Sequence, residues 1–478
     1  MVGLFAFAGC SIAALACLMD WRKGIFFCVL VGFFQDPFRK LIEGEPVWLS
    51  AVVALFFAFI FICAKMQGER FSLKNISAWN SPLRIPVRFF ILWVVLQSFA
   101  AFLATHSIRV AGIGLLAYLS PAPALLLAYY FGKDERDVLN FVKFYLVIAV
   151  VMLSGIYLSY LGYDWEVLRQ IGYGVTAYAP TGEQLKLFPG FLRTPETAAW
   201  HAGTAVCFTV FLFVSRRRTA AFNWLSGFLI LFLMSAIILT GRRKMLVEIV
   251  LFITIFGFFL AYFKRGAVKL SIFLLILGAS IAFAGNKYLV SDEGTTMTRF
   301  SPYYMRGVSV RQDAPERFYN MTIGSFRSVI ADNGYFGSGA GTGSQGVQHF
   351  VGNAITGGAA EGGLGKILAE LGLPGIALFL WIMVALVRYL WNAMKKMKDA
   401  DPTCSQLVYA MTSFLIANAI VFAAAHQVFG DPFILLILGW ILGFTLAVSA
   451  FNANRSQSAG GPLSGKTPSV IGREGKKT

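Results

Sequence analysis

Long apolar runs constrain this chain more than any motif does. A membrane-crossing helix needs about 20 predominantly apolar residues. Runs of that kind occupy residues 2–19, 47–64, 87–104, 110–131, 141–162, 197–214, 221–240, 245–263, 268–285, 367–391, 405–425 and 432–451. A shorter run, 24–34, reads as a thirteenth span or a broken one. Only 14% of the 478 residues are charged, against about 25% in an ordinary soluble domain. A water-soluble globular protein is excluded. The expected fold is all-α and polytopic, with about 12–13 transmembrane helices and one large outer loop containing short helices.

Charge then sets the expected topology. With the C-terminal tail inside, the inside connections hold 25 of the 41 Lys and Arg, as cytoplasmic loops should. The net charge of +17 is spread between the apolar runs, so it serves orientation and anion handling, and nucleic acid is not an expected partner. The implied organisation is a helical region 1–285 with an outer loop 163–196, an outer loop 286–365, helices in 366–451 and a Ser/Gly/Lys-rich tail 452–478 expected to be disordered. Within the second loop, 315–330 has helical spacing of Phe318, Met321, Phe326 and Ile330. The six cysteines form no CxxC pair, so neither a zinc site nor a disulfide framework is indicated. No cofactor is expected.

The informative residues break the charge rule. Arg242, Arg243 and Lys244 form a tight turn on the expected outer side, where cations oppose orientation. Either they anchor a helix end to headgroups or they bind a phosphate-rich ligand, for which the planar guanidinium fork is suited. Arg193 precedes a helix start in which Thr194 caps, Pro195 takes the first position and Glu196 lies in the first turn. Arg193 there either pairs with Glu196 or joins the helix end in an anion site. His106 and Arg109 are weaker candidates of the same kind, and Arg39 and Lys40 read as interfacial. Asp36, Glu43 and Glu45 form a small acidic cluster without diagnostic metal spacing. Glu361 and Glu370 flank the entry to the run 367–391; a carboxylate in a partly desolvated place is a better base, whereas a carboxylate at a helix N-terminus is also simply favoured by the dipole. His201, His349 and His426 each read first as packing or hydrogen-bonding residues.

Three stretches together resemble the O-antigen ligase and O-antigen polymerase superfamily of bacterial envelopes. Gly190-Phe191 through Pro195-Glu196 is similar to its Gly-then-Pro segment before a mid-chain span. Leu239-Thr240-Gly241-Arg242-Arg243 is similar to its Thr-x-Ser-Arg turn, with Arg243 in the Arg place and Arg242 replacing Ser. From Arg317 to Gly375 come a helix, the Gly-rich Tyr335–Gly341 run, and Gly372 and Gly375 in a Gly-x-x-Gly. The ligase His place falls on Glu361, and Gly362 replaces Asn; a Glu there is closer to some polysaccharide polymerases, and His349 is the alternative.

The resemblance implies a GT-C-like glycosyltransferase of the inner membrane, its site facing the periplasm. Its donor would be an undecaprenyl diphosphate-linked glycan, its surroundings membrane lipids, its partners other polysaccharide export components. Arg193, Arg242, Arg243, Arg317 and Lys244 would hold the diphosphate, Glu361 or His349 would act as base, and no metal would be needed. Polymerisation of repeat units is the first expectation, transfer of finished glycan to lipid A core or protein the second. A flippase of lipid-linked glycans and a scaffold for an export complex are the rivals from other classes.

Overall fold

The computed structural model describes the chain except for residues 1, 73–75, 77–81, 173–176, 179–181, 183, 216–218, 264–299, 309–315, 317–318, 345–361, 399 and 460–478. The helices, in chain order, are α1 (Val2–Met19), α2 (Trp21–Leu41), α3 (Val52–Met66), α4 (Arg84–Thr105), α5 (Ile108–Leu119), α6 (Pro121–Phe131), α7 (Glu135–Tyr160), α8 (Pro195–Ser215), α9 (Ala220–Leu239), α10 (Lys244–Phe263), α11 (Ser301–Val308), α12 (Phe326–Asn333), α13 (Gly363–Lys396), α14 (Pro402–Ala424) and α15 (Pro432–Ala459). A two-residue hairpin, β1 (Ala177–Tyr178) with β2 (Gln184–Leu185), pairs antiparallel with Ala177 opposite Leu185. Among the described residues ten stretches are long and apolar enough to cross a membrane. The chain is therefore an all-α, multi-pass membrane protein. The expected run 268–285, the tail beyond residue 459 and the greater part of the 286–365 loop lie outside the described residues.

Two of the expected elements differ in detail. The run 110–131 is two helices, α5 and α6, meeting at Ser120-Pro121, where proline begins a new helix readily but cannot continue an old one. The short run 24–34 is part of one unbroken 21-residue helix, α2, about 31 Å long at 1.5 Å per residue. Its polar C-terminal end was expected to lie at an interface. Instead Gln35, Asp36, Arg39 and Lys40 are all buried, because each of the charged ones finds partners in the protein.

The bundle is built around α8 and α15, whose apolar 18-residue stretches are 94% and 83% buried, against 28% for those in 47–66, α4 and α9. Lipid tails give no hydrophobic drive for helices to associate, so close approach depends on small residues. The α6–α15 contact shows how: Gly439 and Gly443 face Ala124 and Ala128. A Cβ on Gly439 would stand 2.7 Å from that of Ala124, and one on Gly443 would press on the Leu125 carbonyl. Aromatic rings fill the rest, as where Phe141 meets Trp440 and Phe444.

A second packing unit joins α4, α5, α12 and the first part of α13. Here α13 breaks at Gly372, with φ 67° and ψ −169°, and Pro374 follows. The Gly-rich segment lies against the break and takes up the backbone groups that the break leaves open. Ser338 donates from N and Oγ to the Ala369 carbonyl at 2.8 and 3.0 Å. Gly339 N donates to the Glu370 carbonyl at 3.1 Å and Trp93 Nε1 to the Leu371 carbonyl at 2.8 Å. In return Leu373 N donates to Tyr335 O at 2.9 Å, Ala340 N to Gln97 O at 3.0 Å and Gln97 Nε2 to Phe336 O at 2.9 Å. Gln97 lies about 12 Å from the end of α4. Irregular backbone at such depth is tolerable only when the protein satisfies it. Glycine is required for contact: a Cβ on Gly339 would stand 2.6 Å from Ala101 N.

Candidate functional site

The C-terminal end of α2, the N-terminal ends of α8, α10 and α15, and the loops between them gather at one end of the bundle. Local sequence fixes each piece. The start of α8 is capped as expected: Thr197 N donates to Thr194 Oγ1 at 3.3 Å, with Pro195 the first residue and Glu196 in the first turn. Asp431 caps α15 in the same way, its Oδ1 accepting from Phe433 N at 2.7 Å and Ile434 N at 3.3 Å.

Arg193 sits between two carboxylates. Its guanidinium Nη2 pairs with Asp431 Oδ2, and its backbone N donates to Asp36 Oδ2 at 3.0 Å. Burial works against the charge on Arg193, but Asp431 and then Asp36 outweigh it, and its pKa rises above the ordinary arginine value. The expected alternative of an Arg193–Glu196 pair is not what forms. Glu196 instead accepts from Arg242 Nη2 at 2.6 Å. Burial holds the Arg242 pKa below its ordinary value, with Glu196 opposing. Lys244 Nζ donates to Gln427 Oε1 at 3.2 Å.

Two cations read from sequence as interfacial belong to this knot. Lys40, 1% exposed, donates to the carbonyls of Val167, Gly190 and Leu192 at 3.0, 2.8 and 2.6 Å. It thereby ties the loop before α8 to α2. Arg39 Nε donates to the Glu45 carbonyl at 3.0 Å, and Glu45 pairs with Arg169 at 2.9 Å. Asp36 and Glu45 thus serve cationic side chains, and among the described residues no group of acids and histidines is placed to hold a metal.

Of the residues singled out from sequence, the structure brings Arg193, Arg242 and Lys244 to the ends of α8 and α10 and the turn before α15. Arg243 lies in the same turn as Arg242. Arg317, His349 and Glu361 lie outside the described residues.

Four buried features take roles that the sequence reading did not assign. Asp36 and Lys40 stand one helical turn apart on α2, a spacing that flags a shared face. Asp431 before Pro432 carries the signature of a cap followed by a first-position proline. Glu370, 0% exposed, accepts from Tyr118 Oη at 2.7 Å and Gly343 N at 3.0 Å, with Lys366 Nζ at 3.9 Å. The Gly343 contact pins the Gly-rich segment onto the broken helix, and the Tyr118 contact joins α5 to it. Glu248 lies alone within the apolar run of α10, and ionisable residues in membrane helices mark function or pairing. No protein-family model matches the chain, and no curated protein matches it. The fold and this end of the bundle define a multi-pass membrane protein with a charged knot where its helices begin and end.

Proposed function

We propose that the protein is a glycosyltransferase of the bacterial inner membrane that polymerises undecaprenyl diphosphate-linked oligosaccharide repeat units at the periplasmic face. The observation that carries the reading is the convergence of Arg193, Arg242 and Lys244 on the start of α8 and the turn before α15. A lipid diphosphate leaving group needs cations where its charge develops, and these residues lie at helix ends. The three stretches similar to the O-antigen ligase and polymerase superfamily support the same reading.

In the reaction, a hydroxyl of the acceptor sugar attacks C1 of the donor sugar. The new C–O bond forms as the bond from C1 to the diphosphate oxygen breaks, with inversion at C1. The diphosphate leaves with the bonding pair and is steadied by Arg243, Arg242, Arg193, Arg317 and Lys244. Glu361 or His349 takes the hydroxyl proton. The pairing of Arg193 with Asp431 and of Arg242 with Glu196 means that phosphate oxygens exchange for carboxylates when donor binds.

Reconstitution of the purified protein in vesicles with a lipid diphosphate-linked repeat unit, scored by product length, tests this. Ladders of polymer are expected, and Arg243→Ala and Glu361→Gln should abolish them at normal protein level. Transfer of one preformed chain to a separate acceptor would assign the ligase reaction instead. Unchanged polymer from both variants would overturn the catalytic assignment, and lipid-linked glycan crossing the bilayer without any transfer would assign a flippase.

A further inference from the structure

One ionisable side chain inside the bundle has no part in the proposed transfer. Glu248 lies on α10 one turn past Lys244 and is 0% exposed. Its Oε1 accepts from Asn418 Nδ2 on α14 at 2.9 Å, and Asn418 Oδ1 accepts in turn from Trp200 Nε1 on α8 at 2.8 Å. Its Oε2 has no hydrogen-bond partner among the described residues. Gly203 on α8 leaves room at that oxygen: a Cβ there would stand 3.6 Å from Oε2.

We infer that Glu248 is an intramembrane proton-binding site, holding a carboxylic acid rather than a carboxylate in this arrangement. An isolated buried carboxylate is heavily penalised unless it is paired and fully hydrogen-bonded. One neutral amide on one oxygen does not meet that requirement. Among the described residues, the elements packed around it supply no compensating cation at its level. From α8 come His201, already bonded to Tyr145 at 2.7 Å, and Cys207; from α7 comes the Tyr145 phenol. Helix α9 carries no titratable residue. Helix α14 carries Cys404 and Tyr409, both toward its other end. Toward the helix ends stand Glu196 with Arg242, then Arg243 and Lys244. Lys244 is one turn from Glu248 and donates to Gln427 here, so the acid sits one turn from the charged knot. The inference is independent of the proposed transferase reaction.

The probe is dicyclohexylcarbodiimide, a hydrophobic reagent that reacts with protonated carboxyls. The acid adds across one C=N bond: its proton goes to nitrogen and its oxygen to the central carbon. In a dry site the acyl group then shifts to nitrogen, giving a stable N-acylurea with nothing lost. Purified full-length protein in vesicles should acquire one adduct on the α10 peptide, at a rate at least about tenfold above that with a water-soluble carbodiimide, and falling about tenfold per pH unit once the acid ionises. Glu248→Gln keeps an amide partner for Asn418 and should remove the adduct. Where the reagent fails to reach the site, the infrared carbonyl band of a protonated acid, lost in Glu248→Gln, decides. Absence of both adduct and band in folded protein, or equal labelling by the water-soluble reagent, overturns the inference.

Discussion

Replacing Asp431 by Asn isolates what holds Arg193. Asp431 has two tasks, one per oxygen. Oδ1 caps α15 and Oδ2 pairs with the Arg193 guanidinium. Asparagine is as good a cap as aspartate, so the cap survives while the charge does not. The two side chains are 17% and 4% exposed, so solvent screens the pair little. Removing one partner of such a pair costs about 3–5 kcal/mol. Asp36, whose carboxylate also favours the Arg193 charge, keeps the loss near the lower end, about 3 kcal/mol. Asp431→Ala removes the cap as well and should cost about 1 kcal/mol more. Unfolding in mixed micelles titrated with dodecyl sulfate measures both. Adding Arg193→Met to Asp431→Asn should recover part of the loss, because no buried guanidinium is then left without its Asp431 partner. If Asp431→Asn unfolds within about 0.5 kcal/mol of the parent, the size of an ordinary surface change, Arg193 does not depend on this carboxylate and the picture of the knot is wrong.

Three further outcomes follow from the same contacts. Gly443→Leu places side chain against the Leu125 carbonyl and should destabilise the α6–α15 contact by about 1–3 kcal/mol or more, read as a lower midpoint in detergent; an unchanged midpoint would mean the helices are not so close. Lys40→Met removes all three tethers to the loop before α8, so trypsin should cut after Arg169 or Lys186 several-fold faster, and equal rates would show that the loop is held elsewhere. Glu196→Gln relieves Arg242 of its carboxylate; if donor diphosphate exchanges with Glu196, donor binding should tighten by about 1 kcal/mol, a several-fold lower Kd, whereas unchanged binding would make the pair purely structural.

Hydropathy made most of the helices legible, because a span announces itself by length and composition alone. Residues 2–19 and 432–451 form helices where the pattern put them, and α8 was legible down to its Thr194 cap. What hydropathy could not show is partnership. Arg193 finds Asp36 and Asp431 at sequence separations of 157 and 238, and Lys40 finds its carbonyls 127 to 152 residues away. A local reading therefore offered Arg193 either Glu196, its neighbour, or an anion site, and assigned Arg39 and Lys40 to an interface. The same blindness left the run 24–34 short, a thirteenth span or a broken one, since the polar end of α2 looks like a helix terminus until its partners are known.

The pairing changes what the cationic turn means. Cations set at a membrane surface for orientation alone would remain hydrated, and nothing would require carboxylates beside them. Here Arg193 and Arg242 are drawn in and each is matched by an acid from another part of the chain. Desolvated pairs of this kind add little net stability over apolar packing of the same volume, so stability alone does not account for keeping them. One role is to fix the relative placement of α2, α8, α10 and α15; under the proposed function a second is to hold guanidinium groups charged and pre-oriented for a phosphate. The first requires only that each pair form. The second requires that a pair open to an anion, and the Glu196–Arg242 contact, at the start of α8, is where the two part company.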